Sequence, residues 1–199
     1  MDSLEKRPAK KSNLVLWLIL FVCVFPVVAS TLLYFLWTPQ NFVNHGELFE
    51  PVPLSEITFP RAGGGQFSFN ELDGRWSFVS IDDGACGEHC ATKLYLMRQI
   101  RLTQGKYSDR IERVWLIRDG LTPAPRTLAG YEGTHAIVLA DPANLELFPT
   151  QGSRTDYIYL VDPVGNLMMR FPPDADPSRI KKDISKLLRI SSGWRRLDR

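Results

Sequence analysis

The chain has 199 residues, 44% of them apolar and 23% charged, and a formal charge of +2. That length holds one ordinary domain plus an anchor, and the composition is that of a folded protein. Four bases against two acids in the first eleven residues account for the whole excess. The body is therefore near neutral and lacks the basic stripe that a nucleic-acid binder needs.

Lys6, Arg7, Lys10 and Lys11 make residues 1–13 a basic tail. Leu14 to Trp37 follows, 24 residues without a charge; about 20 apolar residues span a bilayer as a helix. Pro26 within it is tolerated as a kink in lipid. A cleaved signal peptide would carry a shorter apolar core, of about 7–15 residues. Here the run continues past Val27-Val28-Ala29 through Leu32, Leu33, Phe35 and Leu36, which predicts an uncleaved transmembrane helix over 14–37. The flank Thr38 to Gly46 has no Lys or Arg, so the positive-inside rule puts the N-terminus in the cytoplasm and the body outside. The expected setting is a single-pass protein of a bacterial inner membrane with its domain in the periplasm, where disulfides are permitted. Cys23, inside the span, reads as a small apolar residue.

Residues 38–62 read as a linker punctuated by Pro39, Gly46, Pro51, Pro53 and Pro60, with His45 solvated. Residues 63–192 read as the domain. Ala62-Gly63-Gly64-Gly65 is a turn without the Lys-Ser/Thr of a phosphate loop. Gln66 to Asn70 alternates apolar and polar, which predicts a half-buried strand, and Asp73-Gly74 signals a hairpin turn. Arg75 to Ile81 is the strand that leads into Cys86-Gly87-Glu88-His89-Cys90. A helix with apolar Leu94, Tyr95, Met97, Ile100 and Leu102, and with polar Lys93, Arg98, Arg101 and Gln104, runs from Ala91 to about Leu102. Met97 is a core residue on that face. Val114 to Ile117 is a buried strand, closing a parallel β-α-β unit.

A short helix near Thr127 to Tyr131, a strand at Ala136 to Leu139 and a helical turn at Asn144 to Phe148 come next. Tyr157 to Val161 and Leu167 to Phe171 form a hairpin around Asp162-Pro163-Val164-Gly165. Asp176 caps a last helix with Pro177 at its first position and Ile180, Ile184, Leu187 and Leu188 on its core face. Arg195, Arg196 and Arg199 make 193–199 a solvated tail. The order is that of an α/β thioredoxin-like fold, a central mixed sheet flanked by helices, behind a single transmembrane helix. Nothing signals a homo-oligomer, so a monomer is expected.

Cys86 and Cys90 are the candidate site. Four residues apart at a helix start, they have Cα atoms about 6 Å apart, within disulfide reach. The helix start favours a thiolate. The pair suits either a reversible disulfide or two soft ligands for Cu(I). Glu88 reads as a solvated loop residue.

With Leu72-Asp73-Gly74-Arg75-Trp76 before the strand, Cys86-x-x-x-Cys90 after it and Tyr159-Leu160-Val161-Asp162-Pro163-Val164-Gly165 near the end, the stretch from Phe67 to Ile190 resembles the Sco/SenC family. These are membrane-anchored thioredoxin-like proteins that assist assembly of the copper site of cytochrome c oxidase. The resemblance implies the copper-bearing oxidase subunit as partner, and copper on Cys86, Cys90 and a distal histidine. The chain departs from that pattern: the histidine's place reads Gly152-Ser153-Arg154-Thr155-Asp156, and Ala91 stands where the family has proline. His89 adjoins Cys90 and is the lesser candidate for a substitute copper ligand, since it could face the pocket although consecutive side chains diverge, and His135 starts a strand at the opposite end of the sheet. Arg154, placed near the pocket by the resemblance, cannot ligate a metal but would stabilise a thiolate. The favoured expectation is thiol-disulfide exchange on the oxidase copper site through Cys86 and Cys90. The alternatives are a Cu(I) chaperone, and a scaffold without chemistry.

Overall fold

The computed structural model describes residues 13–36 and 44–191. The basic residues Lys6 to Lys11, the end of the span at Trp37, the flank up to Val43 and the arginines of the C-terminal tail lie outside the described residues. Leu14–Leu36 form α1, one helix with Pro26 inside it. Its stretch Val15–Phe35 is long and apolar enough to cross a membrane. Residues from Asn44 onward form a separate compact unit.

That unit is built on β4, Trp76–Asp82, whose seven residues are all buried. Burial along the whole strand suits a position covered on both faces, with Ser77, Ser80 and Asp82 as its polar members. β5, Ile111–Ile117, pairs with it in parallel, and β6, His135–Val138, pairs with β5 in parallel. On the other side β7, Ile158–Val161, lies antiparallel to β4 and forms a hairpin with β8, Asn166–Phe171. With β1, Glu47–Pro53, on its edge, the six-stranded mixed sheet has the order β1-β8-β7-β4-β5-β6. This is the thioredoxin-like α/β fold expected from the sequence.

Alternation along the strands divides the core in two. Val79, Ile81, Val114, Leu116, Tyr159 and Val161 face one layer, completed by Phe59, Phe67, Phe69 and Phe148. Phe78, Trp115, Ile117, Ile158 and Leu160 face the other, covered by two helices. These are α2, Glu88–Thr103, and α4, Pro177–Ile190. α3, Pro125–Gly130, is a short helix before β6. Asp176 caps α4 by accepting from the Ser178 amide at 2.8 Å, which holds its carboxyl below the usual range.

Four local readings change. Residues 38–62 are not a plain connector: they hold β1 and also β2, Thr58–Pro60. β1 tolerates Pro51 and Pro53 because it is an edge strand, where an amide can be spared. β3, Gln66–Ser68, pairs with β2, not with β4. Asp73-Gly74 closes no hairpin; it follows a 3-10 turn over Phe69–Leu72, and the Gly74 amide, at φ +79°, donates to the Pro163 carbonyl. Lys93 and Gln104 are buried, where the sequence reading put both on the polar face of the helix.

Candidate functional site

The loop between β4 and α2 is fixed from several directions. Asp83 accepts from Arg118 Nε at 2.7 Å, and the Gly84 amide donates to both Asp119 oxygens at 3.0 and 3.1 Å. A Cβ on Gly84 would stand 2.5 Å from the Leu121 carbonyl oxygen, so glycine is required for this close approach. The Cys86 amide donates to the Asp83 carbonyl, turning the chain into α2. Cys86 itself adopts φ +46°, a left-handed conformation that is strained for a residue with a Cβ.

Cys86 and Cys90 are joined, with S–S 2.02 Å and Cα atoms 5.1 Å apart. Cys86 is half-buried and Cys90 is buried at the edge of the helix-covered core. α2 starts at Glu88, earlier than the sequence reading, so Cys90 lies in its first turn. Gly87 caps the helix without a side-chain acceptor, which leaves the amides of that turn free to favour negative charge nearby.

The residue that sequence reasoning missed is Lys93. Three positions after Cys90, it lies on the same face of α2. Its ammonium pairs with Asp82 at 2.9 Å, each side chain only 6% exposed. It also donates to the Ile81 carbonyl at 3.2 Å and to the Thr155 carbonyl. Burial pulls its pKa down, against the opposing pull of Asp82 and, more weakly, Asp156. Ser80 Oγ donates to the same Asp82 oxygen at 2.5 Å. The signal was present: Cys90, Lys93, Leu94 and Met97 recur at helical spacing, so Lys93 falls within the apolar stripe.

His89 is exposed, and its Nε2 lies 3.1 Å from the Thr155 carbonyl. A carbonyl only accepts, so Nε2 donates in this contact. Glu88 is exposed. Arg154 is engaged elsewhere: its Nε donates to the Phe148 carbonyl at 3.0 Å and its Nη2 pairs with Glu146 at 2.6 Å. His135 shares its sheet face with Ile137, on the layer away from α2, and lies 3.4 Å from Glu112. His45 binds Asp183 through its amide and keeps its side chain exposed. Met97 is fully buried in the core.

Reduced, the two sulfurs would be soft donors for Cu(I). Among the described residues no group of three His, Cys, Asp or Glu gathers to complete a metal site. Lys93 also brings a fixed positive charge one helical turn from Cys90.

No curated protein matches the sequence. Solved structures that share the fold include yeast Sco1 with copper bound, with TM-score 0.55, 16% identity, and coverage of 76% of this chain and 96% of that one. Bradyrhizobium japonicum ScoI with copper bound aligns with TM-score 0.51 at 18% identity, over 71% of this chain and 100% of that one. A thiol:disulfide interchange protein from Chlorobium tepidum aligns with TM-score 0.51 at 17% identity, over 73% and 99%. A family model described as "Transmembrane-like, thioredoxin-like, C-terminal domain" matches residues 76–191, from the first residue of β4 to the end of α4. The chain belongs to that transmembrane-like, thioredoxin-like family.

Proposed function

We propose that this protein is a membrane-anchored thiol-disulfide exchange protein, a divergent Sco-type member without the distal histidine, serving cytochrome c oxidase assembly outside the cytoplasm. The observation that carries the chemistry is the pairing of Cys86 and Cys90 at the start of α2, one sulfur half-exposed and the other buried. The pathway rests on the Sco-like fold and on the sequence resemblance.

In the reduced protein the Cys86 thiolate attacks one sulfur of a partner disulfide. A mixed disulfide forms and the partner's second sulfur leaves as a thiolate. Cys90, deprotonated, then attacks Cys86 Sγ, and the partner's first sulfur leaves. The partner has gained two electrons and two thiols, and Cys86–Cys90 has become the disulfide. A dithiol donor must return the pair to the reduced state. Cys86 suits the attacking role because it is the more accessible. Cys90 is the resolving sulfur, with Lys93 one helical turn further along α2 as a candidate to favour its thiolate by charge.

A copper-delivery reading is favoured by the copper-bound Sco structures of the same fold. In it the reduced pair carries Cu(I) as cargo. The full chain in detergent, reduced and loaded anaerobically with Cu(I), separates the two. The exchange reading expects no copper retained after desalting and a measurable equilibrium potential against a glutathione or dithiothreitol couple. It also expects Cys90→Ser, but not Cys86→Ser, to accumulate a mixed disulfide with an oxidised peptide bearing the two cysteines of the oxidase site. One tightly held copper per chain, lost in Cys86→Ser, together with no trapped mixed disulfide, would overturn it.

A further inference from the structure

Arg113 lies on β5 between Ile111 and Trp115, on the face that α2 covers. It is only 4% exposed. Its Nη2 donates to the Glu132 carbonyl at 2.8 Å, but Nε and Nη1 are buried without a partner. Among the described residues no carboxylate stands within ion-pairing distance of it. A guanidinium cannot shed its charge at ordinary pH, and an unpaired buried charge costs several kcal/mol. Such a group calls for an anion.

A cavity of about 360 Å³ opens beside it, walled by Arg98 and Arg101 of α2 and by Glu132 and Gly133 before β6. Arg98 has no ion pair among the described residues. Arg101 donates to the Ile111 carbonyl, and its nearest carboxylate is Asp109 at 3.7 Å, itself 94% exposed. Glu112, also on the wall, is already engaged by Arg75 at 2.5 Å and His135 at 3.4 Å. Burial, then Arg101 and Arg98, push the Arg113 pKa down against a weaker opposing pull from Glu112, so three positive charges are concentrated with only partial compensation. Gly133 leaves the wall bare: at φ +76°, a Cβ there would stand 3.0 Å from Arg113 Nη2.

We propose that this cavity binds a phosphate-class oxyanion, held by Arg98, Arg101 and the unpartnered nitrogens of Arg113. Three guanidinium groups against one free acid, Glu132, favour an anion of more than one charge. The phosphate could be free or the headgroup of an anionic phospholipid; the chemistry recognised is the same. The site lies toward the C-terminal end of α2, away from the cysteine loop at its start, and its test does not depend on the redox reading.

The test is calorimetric titration of the full chain in neutral detergent with inorganic phosphate at fixed ionic strength. Saturable one-to-one binding is expected, weakened about tenfold or more in Arg98→Gln. Arg113→Met is expected to abolish it while leaving the phosphate-free protein at least as stable as the parent. Repeating the titration in phosphatidylcholine nanodiscs with and without phosphatidylglycerol names the source. Competition by the anionic lipid assigns the headgroup, and an unchanged affinity assigns free phosphate. No saturable binding at millimolar phosphate overturns the proposal, as does binding that survives Arg98→Gln unchanged. Should Arg113→Met fail to fold, the Arg98→Gln titration decides.

Discussion

A lysine ammonium taken out of water loses several kcal/mol of hydration, and only a partner held at short range returns it. Lys93 meets that condition through Asp82 and two carbonyls, all inside the domain below the cysteine loop. Removing the lysine alone leaves the Asp82 carboxylate buried with Ser80 Oγ as its one side-chain donor among the described residues. Lys93→Met is therefore expected to lower stability by about 3–5 kcal/mol, read from urea unfolding of the reduced and oxidised protein. Neutralising the acid as well, in the Asp82→Asn/Lys93→Met double variant, should restore much of that loss, because the two residues form one unit. A single variant within about 1 kcal/mol of the parent would mean that water already reaches the pair. The same substitution removes a positive charge three positions from Cys90 on α2. It should also raise the pH at which the resolving thiol ionises, seen as a shift in the pH dependence of mixed-disulfide resolution.

Among the elements, β1 shows how an edge strand is held when its own sequence is a poor strand former. Its side chains are mostly exposed and its pairing with β8 is irregular between Leu48 and Val52. The anchor is upstream: the amides of His45 and Gly46 both donate to Asp183 Oδ2 of α4, at 2.6 and 2.9 Å. Gly46 also packs so closely that a Cβ would fall 2.6 Å from Met169 Sδ. Asp183→Ala should leave both amides unpaired and cost about 2 kcal/mol or more. Faster hydrogen exchange across β1 but not β4 is the expected signature; uniform protection would refute this coupling. Such contacts explain which elements were legible in the sequence. β4, β5, β7 and β8 announce themselves because burial writes an apolar run, and α4 because its cap and stripe are local. β1 is set by Asp183, 137 positions from Gly46, so no window of sequence contains its cause. The cysteine pair was legible for the opposite reason, since its spacing after a buried strand is local, although Cys86 lies before the helix and in a left-handed conformation that the spacing does not announce. Lys93 and Arg113 were not, because a charge in sequence reads as solvated until its partners, or their absence, are known in space.

At the scale of the molecule, the stability of the second unit comes from its two apolar layers, one on each face of the sheet. The disulfide contributes little to either: Cys90 sits at the rim of one layer, and the loop that the bond closes has a sequence separation of only 4. In the chain-entropy account, closing so short a loop is worth about 2 kcal/mol. A domain of this size changes melting temperature by about 2–4 °C per kcal/mol. Reduction should then lower the midpoint by about 4–8 °C and leave a cooperative transition and an unchanged far-ultraviolet circular dichroism spectrum. That separation is what exchange chemistry requires, because a pair that must open and close in each cycle cannot also be the staple of the fold. The check is a thermal melt of the full chain in detergent, with and without a strong dithiol reductant, with Cys90→Ser as a permanently open reference. Coincident melts for the reduced parent and the variant, both cooperative, are expected. If reduction instead removes the cooperative transition, the bond is structural, and a role for Cys86 and Cys90 in cycling between thiol and disulfide is excluded.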